Sequence, residues 1–282
     1  MPWTAQSGNT YQLVLLDTNA LSDIAKSKKK EGLRFVTEFD AGGYAPCFTS
    51  YSLIEIRRNE EAYKSFLKFF SVYPIFMLKP HSVILEDEKA AYDTDKNVSA
   101  LLNAFSPYGK NQSYDLRHFI DDHFRKPENL ELENNWKEDE RRTMESWLEL
   151  KKNFNVTSDD ANKEDAEKYV NKVLFEELCQ KFREFVQQEL NKEIIPDSDK
   201  FPSLQAMLYS QYYRIFDKNR KFNLSDVTDV RIMAATPYVD VLITENYQAE
   251  VFKKFKAKVP LLRKFRLVRV GDLKEQSNMV EK

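Results

Sequence analysis

Asp17 ends the apolar run Leu13-Val14-Leu15-Leu16, and an acid at that point is the chain's sharpest chemical feature. An acid directly after a buried parallel strand sits at the carboxyl edge of the sheet, where open α/β folds bind their ligands. Thr18 and Asn19 follow, and short polar side chains of this kind hydrogen-bond a turn and start a helix. Later segments bring more acids to the same edge. Glu55 stands one turn into the helix expected after a second strand, Tyr44 to Thr49. Asp226 and Asp229 open the helix before a fourth strand, at a spacing that puts both on one helix face. Thr244 ends that strand, and Glu245 and Asn246 come next.

Carboxylates gathered at one edge repel each other unless protons or cations sit among them. Donor sets made only of oxygen favour hard ions, Mg²⁺ or Mn²⁺, which keep several waters. Such ions acidify water and stabilise the oxygens of a phosphoryl displacement. The chemistry expected from these acids is metal-dependent phosphodiester hydrolysis.

The elements that position them read as an alternation of strands and helices. Residues 12–17, 44–49, 72–78, 239–244 and 265–270 are expected strands. Residues 18–40, 51–70, 226–236 and 247–256 are expected helices. That order implies an α/β fold with a parallel sheet covered by helices on both faces. Residues 83–222 read as mostly helix, with Ser106-Pro107-Tyr108-Gly109, Lys126-Pro127 and Ile195-Pro196-Asp197-Ser198 as loops. Helical spacing lines up Val170, Val173, Leu174, Leu178, Phe182, Phe185 and Val186 as a core stripe. The division expected is a discontinuous core of residues 1–82 and 223–282 carrying a helical insertion, 83–222.

Composition excludes several classes. At 282 residues, 42% hydrophobic and 31% charged, the chain suits a globular protein with a sizeable core. It has no apolar run long enough for a membrane span. Its start, MPWTAQSGNT, has no basic segment leading into an apolar one, so a cytoplasmic location is expected. The only cysteines, Cys47 and Cys179, build neither a disulfide framework nor a thiolate zinc site. A total of six glycines and no Gly-rich phosphate loop disfavour nucleotide-binding motifs. Net charge is −2, but residues 83–222 hold 29 acids against 22 bases, while the remainder holds 16 against 21. The insertion is therefore acidic and suits a protein partner or regulator. The flanks are basic, and from Val251 to Val270 no acid occurs. Arg57, Arg58, Lys253, Lys254 and Lys256 are the expected contacts to a nucleic-acid backbone.

LVLLDTNALSDI at 13–24, TSYSLIEIRR at 49–58, DVTDVRIMAATPYVDVLITEN at 226–246 and RLVRVGDL at 266–273 together resemble the PIN-domain nucleases, in that family's order. The resemblance covers about half the chain and implies a PIN-like parallel sheet and metal-dependent endoribonuclease activity. By it, Asp17, Glu55 and Asp229 match three metal-site acids, and Asp226 matches an additional acid of larger members. Thr18, Asn19 and Thr244 match supporting positions. The family's fourth acid corresponds to Asn246, which can bind a metal or water without charge; Glu245, Glu250 or Asp226 could compensate. The resemblance further implies RNA as substrate, with single-stranded DNA as an alternative. It suggests a toxin or defence role, and a homodimer unless the insertion covers that face.

Competing features are fewer. Arg117, His118, Asp122 and His123 lie in RHFIDDH, where Arg117 and His123 resemble the short motif of the metal-independent HEPN ribonucleases. A charged, solvated helix end is the simpler reading. Tyr209, Tyr212 and Tyr213 could stack bases, but core packing is preferred. Trp136 and Trp147 are expected within the insertion's own packing. A PIN-like scaffold serving only as an interaction module is the alternative to an enzyme.

Overall fold

The computed structural model describes residues 3–4, 10–26, 30–40, 43–94, 96–106, 112–154 and 163–275. Ser27 to Lys29 of the basic run and the Pro107 to Gly109 turn lie outside them. Strand β1 (Trp3–Thr4) pairs antiparallel with the start of β2 (Thr10–Leu16). Helices α1 (Thr18–Lys26) and α2 (Lys30–Phe35) follow, with a π-helical turn, Val36–Asp40, where one helix to residue 40 was expected. Then come β3 (Tyr44–Thr49), α3 (Ser50–Arg57) and α4 (Glu60–Phe70). The expected helix 51–70 is thus two helices. Asn59 takes extended backbone between them, and its Oδ1 accepts the Ala62 amide at 3.0 Å to cap α4.

Strand β4 (Ile75–Leu78), α5 (His81–Ala91) and β5 (Leu101–Phe105) complete the first half. Helices α6 (Gln112–Phe124), α7 (Pro127–Asn153), α8 (Lys163–Lys181), α9 (Arg183–Asn191) and α10 (Pro202–Ile215) form the mostly helical stretch. The chain closes with α11 (Leu224–Met233), β6 (Val241–Thr244), α12 (Asn246–Phe255), β7 (Arg266–Arg269) and α13 (Asp272–Glu275).

The fold is α/β, with a mostly parallel sheet flanked by helices. Its strand order is β5-β4-β3-β2-β6-β7, with β1 off this path on β2. Strands β4, β3, β2, β6 and β7 are parallel, and β5 runs antiparallel along β4. Residues of β3, β4 and β6 are nearly all buried, as expected of strands covered on both faces. From β2 the chain winds outward to β3 and β4, then returns to add β6 on the other side. The switch point is therefore between β2 and β6, where Leu16 pairs with Ile243.

Residues 83–222 do not stand apart from this sheet. They supply its edge strand β5, and their buried side chains join one continuous core with the strands. Helix α10 is buried on every face, packed among α5, α8, α11 and α12. Its aromatics pack inward: Tyr212 meets Tyr169 and Phe216 at ring distances of 5.4 and 4.7 Å, and Tyr209 stacks on Phe255. The stripe from Val170 to Val186 is buried as expected. Trp136 is not confined to the insertion; it packs on Tyr51 of α3, 5.4 Å between rings. Among the described residues, no helix is long and apolar enough to cross a membrane. Both cysteines are free thiols.

Candidate catalytic centre at the carboxyl edge

Asp17 leaves β2 at the switch point and is almost fully buried, at 2% exposure. Its Oδ1 accepts the Ala20 amide at 2.7 Å, the first-turn contact of a helix start. Its Oδ2 accepts the Thr244 hydroxyl and, at 3.2 Å, the Glu245 amide, both from the end of β6. Register makes this possible, because β2 and β6 pair in step and end together. Burial pushes the Asp17 carboxyl up to about 7 against the pull of these donors, and the charge of Asp229 adds to the rise.

Glu55 projects from α3, whose start is fixed by Thr49 accepting the Ser52 amide at 3.1 Å. Its Oε2 accepts the Thr18 hydroxyl, and Oε1 has no hydrogen bond among the described residues. Burial raises it to about 7 as well, helped by the charges of Asp229, Glu140 and Asp17. Asp229, on α11, is also raised by burial, despite the Arg214 guanidinium 3.0 Å from its Oδ2. The charges of Asp17 and Asp229 both act on Glu55, and that of Asp229 on Asp17, across elements that are far apart in sequence. Asn19 holds Glu245 through Nδ2 at 3.0 Å, while Asn246 is exposed at the start of α12.

Asp226 departs from expectation. It is fully buried, and Oδ1 receives both Arg214 and Arg220. Its Oδ2 accepts the Asn223 amide at 2.7 Å, closing a capping box on α11. With both oxygens engaged by the protein, Asp226 is an anchor and not an open ligand. Arg57 departs too. It bonds Glu133 at 2.9 Å and Asp121 at 2.8 Å and lies 4.7 Å over the Phe124 ring, so it ties α3 to α6 and α7. Arg58 remains exposed, with one bond to the Glu133 carbonyl at 3.3 Å. On α12, Lys253 pairs with Glu250 at 3.0 Å, Lys254 sits 5.4 Å over Tyr213, and Lys256 bonds the Phe265 carbonyl. Glu250 meets Lys253 and Arg269, and so is turned toward cations of its own surface.

Two groups escaped the sequence reading. Arg214 of α10 reaches Asp226, Asp229 and the Gln248 amide oxygen. Its signal was there: it is the single charged residue from Pro202 to Phe216. Glu140 of α7 is buried and accepts the Thr228 hydroxyl at 2.7 Å; burial raises its carboxyl, and its charge reaches Glu55. Nothing in its sequence neighbourhood marks it.

Around RHFIDDH the geometry is structural. His123 is buried with Nε2 3.1 Å from the Ser50 hydroxyl, and burial lowers it to about 4. Asp122 pairs with Arg125 at 2.7 Å, and Arg117 is exposed. Among the described residues, no three His, Cys, Asp or Glu side chains are grouped closely enough to hold an ion unaided. An ion here would be held by one or two carboxylates and its own waters, the habit of Mg²⁺. The oxygen-only donors, and acids raised by burial and further by one another's charge, fit such a hydrated ion. Comparison of the chain with protein-family models, with curated proteins and with solved structures returned no match.

Proposed function

We propose that this protein is a Mg²⁺- or Mn²⁺-dependent nuclease that hydrolyses phosphodiester bonds of RNA. One observation carries the reading: Asp17, Glu55 and Asp229 gather at the switch point of a parallel sheet, each raised by burial and by its neighbours. Acids so placed are short of positive charge. The strand order of the parallel part and the resemblance of its segments to PIN nucleases support the same reading. RNA as the substrate, and a toxin or defence role, rest on the resemblance alone.

Each residue has a task in this scheme. Asp17 and Asp229 would hold the ion, with water completing its shell. Thr244 and the Ala20 amide keep the Asp17 carboxylate from turning. Thr18 fixes one oxygen of Glu55 and leaves Oε1 to orient the attacking water. Glu245, steadied by Asn19, adds negative charge at the rim. Arg58 offers an exposed cation near Glu140 for the phosphate backbone. When bound, the ion acidifies water and offsets charge on the phosphate.

The test is cleavage of labelled RNA and single-stranded DNA in Mn²⁺, Mg²⁺ or EDTA. Wild type should cut only with metal, and Asp17→Asn and Asp229→Asn should lose at least about a hundredfold in rate while keeping their circular dichroism. Wild-type rates in both variants would sink the proposal. A second reading, a non-catalytic interaction module, is favoured by the guanidinium that already neutralises Asp226 and touches Asp229. It requires that Mn²⁺ leave the melting temperature unchanged.

A further inference from the structure

The acid-free stretch from Val251 to Val270 runs beyond α12 to a second face of the protein. There Lys264 and Arg266 line a cavity of about 1060 Å³, opposite the edge that carries Asp17. Gln12 of β2, Tyr44 of β3, Val241 of β6 and Arg266 of β7 bring the starts of four strands to it. Ligand pockets span about 300–1,000 Å³, so a small organic molecule has room here.

The acids in the wall are engaged by the protein. Asp240 accepts the Leu13 amide at 2.8 Å, and Asp199 accepts the Gln205 side-chain amide at 3.1 Å. Glu88 accepts the amide and hydroxyl of Ser203 and the hydroxyl of Tyr238. Burial raises Glu88 to about 7, so it repels an anion less than a free carboxylate would. The cations of the wall are not so engaged. Lys96, Lys200 and Lys264 are exposed and make no ion pair among the described residues, and Arg266 meets Glu38 only at 3.8 Å.

Three tyrosines of the lining are held by the fold. Tyr238 donates to Glu88, and Tyr92 accepts the Asp197 amide at 2.9 Å and stacks on Phe201. Tyr44 stands edge-on to Phe39, 5.3 Å between ring centres. Rings ordered in advance bind a ligand at little entropic cost, and flat heteroaromatic bases stack on such rings. Gln12 and Asn97 add amides for the polar edge of a base. An aliphatic anion would match the lysines but leave those amides without partners. We infer that this cavity binds a free nucleotide, its phosphate on the lysines and its base among the tyrosines. The inference is independent of the nuclease reading, because the cavity shares no residue with the acid centre.

Titration calorimetry of the full chain with the four nucleoside 5′-monophosphates tests it, in EDTA so that no metal at the acid centre contributes. At least one nucleotide should bind, and its nucleoside and inorganic phosphate should each bind at least about tenfold more weakly. Lys200→Ala/Lys264→Ala changes two exposed side chains and should lose at least about tenfold in affinity. Arg263→Ala removes an exposed cation beside the cavity but outside its lining, and should bind as wild type. No binding of any of the four at millimolar concentration would overturn the inference and leave the nuclease reading standing. Unchanged affinity in the double lysine variant would overturn it, as would inorganic phosphate binding as tightly as the nucleotide. An equal loss in Arg263→Ala would overturn it by showing that surface charge alone is read. Asp17→Asn should also bind as wild type; a loss there would place the nucleotide at the acids and overturn the inference.

Discussion

Asp226 and Asp229 lie one helical turn apart and are indistinguishable by type, yet their surroundings give them different work. Asp226 anchors two guanidiniums and caps α11, with no surface exposed. Removing it leaves Arg214 buried without its main partner, and breaking a buried ion pair in this way costs about 3–5 kcal/mol. We therefore predict that Asp226→Ala loses about that much stability in urea unfolding. Asp229→Asn should stay within about 1 kcal/mol, because burial already draws that carboxyl toward its neutral form. If Asp226→Ala unfolds like wild type and loses only cleavage, Asp226 is a ligand after all. Asp17 was legible as a candidate because it ends an apolar run, and Glu55 and Asp229 because they lie about one turn into helices flanking the expected strands; Glu140 carried no such mark. The acids' division of labour was not legible, since it depends on an arginine contributed by a helix elsewhere in the chain.

At the scale of elements, the central strands that read correctly are buried on both faces, while β7, expected at 265–270 and found at Arg266–Arg269, is half-exposed. Leu13 to Leu16 and Val241 to Thr244 are continuous apolar runs with no competing pattern. Strand β5 was not visible, because Leu101 to Phe105 is an edge strand with mixed exposure and no alternation. The break between α3 and α4 was hidden too, since Asn59 reads as a tolerable helix residue until its cap is seen. Helix α7 starts at Pro127, inside the Lys126-Pro127 segment expected as a loop, because proline is tolerated at a helix's first position. Its Trp136 packs under Tyr51 of α3, with the Arg231 guanidinium of α11 5.8 Å from its ring. Those two helices carry Glu55 and Asp229, so Trp136 links the helical block to both acids. Trp136→Ala should cost about 3–5 kcal/mol. It should also lower cleavage in conditions where the variant remains folded by circular dichroism. Cleavage at the wild-type rate in the folded variant would mean that the helical block does not set the geometry of the acids.

Across the whole molecule, buried acids occupy both edges of the sheet. Opposite the edge that carries Asp17, the cavity of about 1060 Å³ is bounded by Gln12, Tyr44, Tyr92 and Tyr238, with Glu88 in its wall. Glu88 is only 2% exposed and accepts the Ser203 amide at 2.8 Å and hydroxyl at 2.7 Å, along with the Tyr238 hydroxyl. Burial raises it to about 7 despite these donors, as it does Asp17 and Glu55 at the other edge. A carboxyl raised on folding binds its proton more tightly in the native state. Its contribution to stability is whole below its unfolded value, near 4.5, and is lost as pH rises through about 7. His81 and His123, lowered to about 3 and about 4, act with the opposite sign and lose their contribution as pH falls below about 6.5. The several groups overlap, so a single pH curve of wild type cannot isolate any one of them. Comparison with Glu88→Gln can, because every other group cancels. Glutamine keeps the acceptor for Ser203 and Tyr238 but cannot ionise. Relative to wild type it should gain about 2.5 kcal/mol between pH 5 and pH 8, in urea unfolding with EDTA present. A stability difference that does not change with pH would mean that Glu88 ionises as freely in the folded protein as in the unfolded chain.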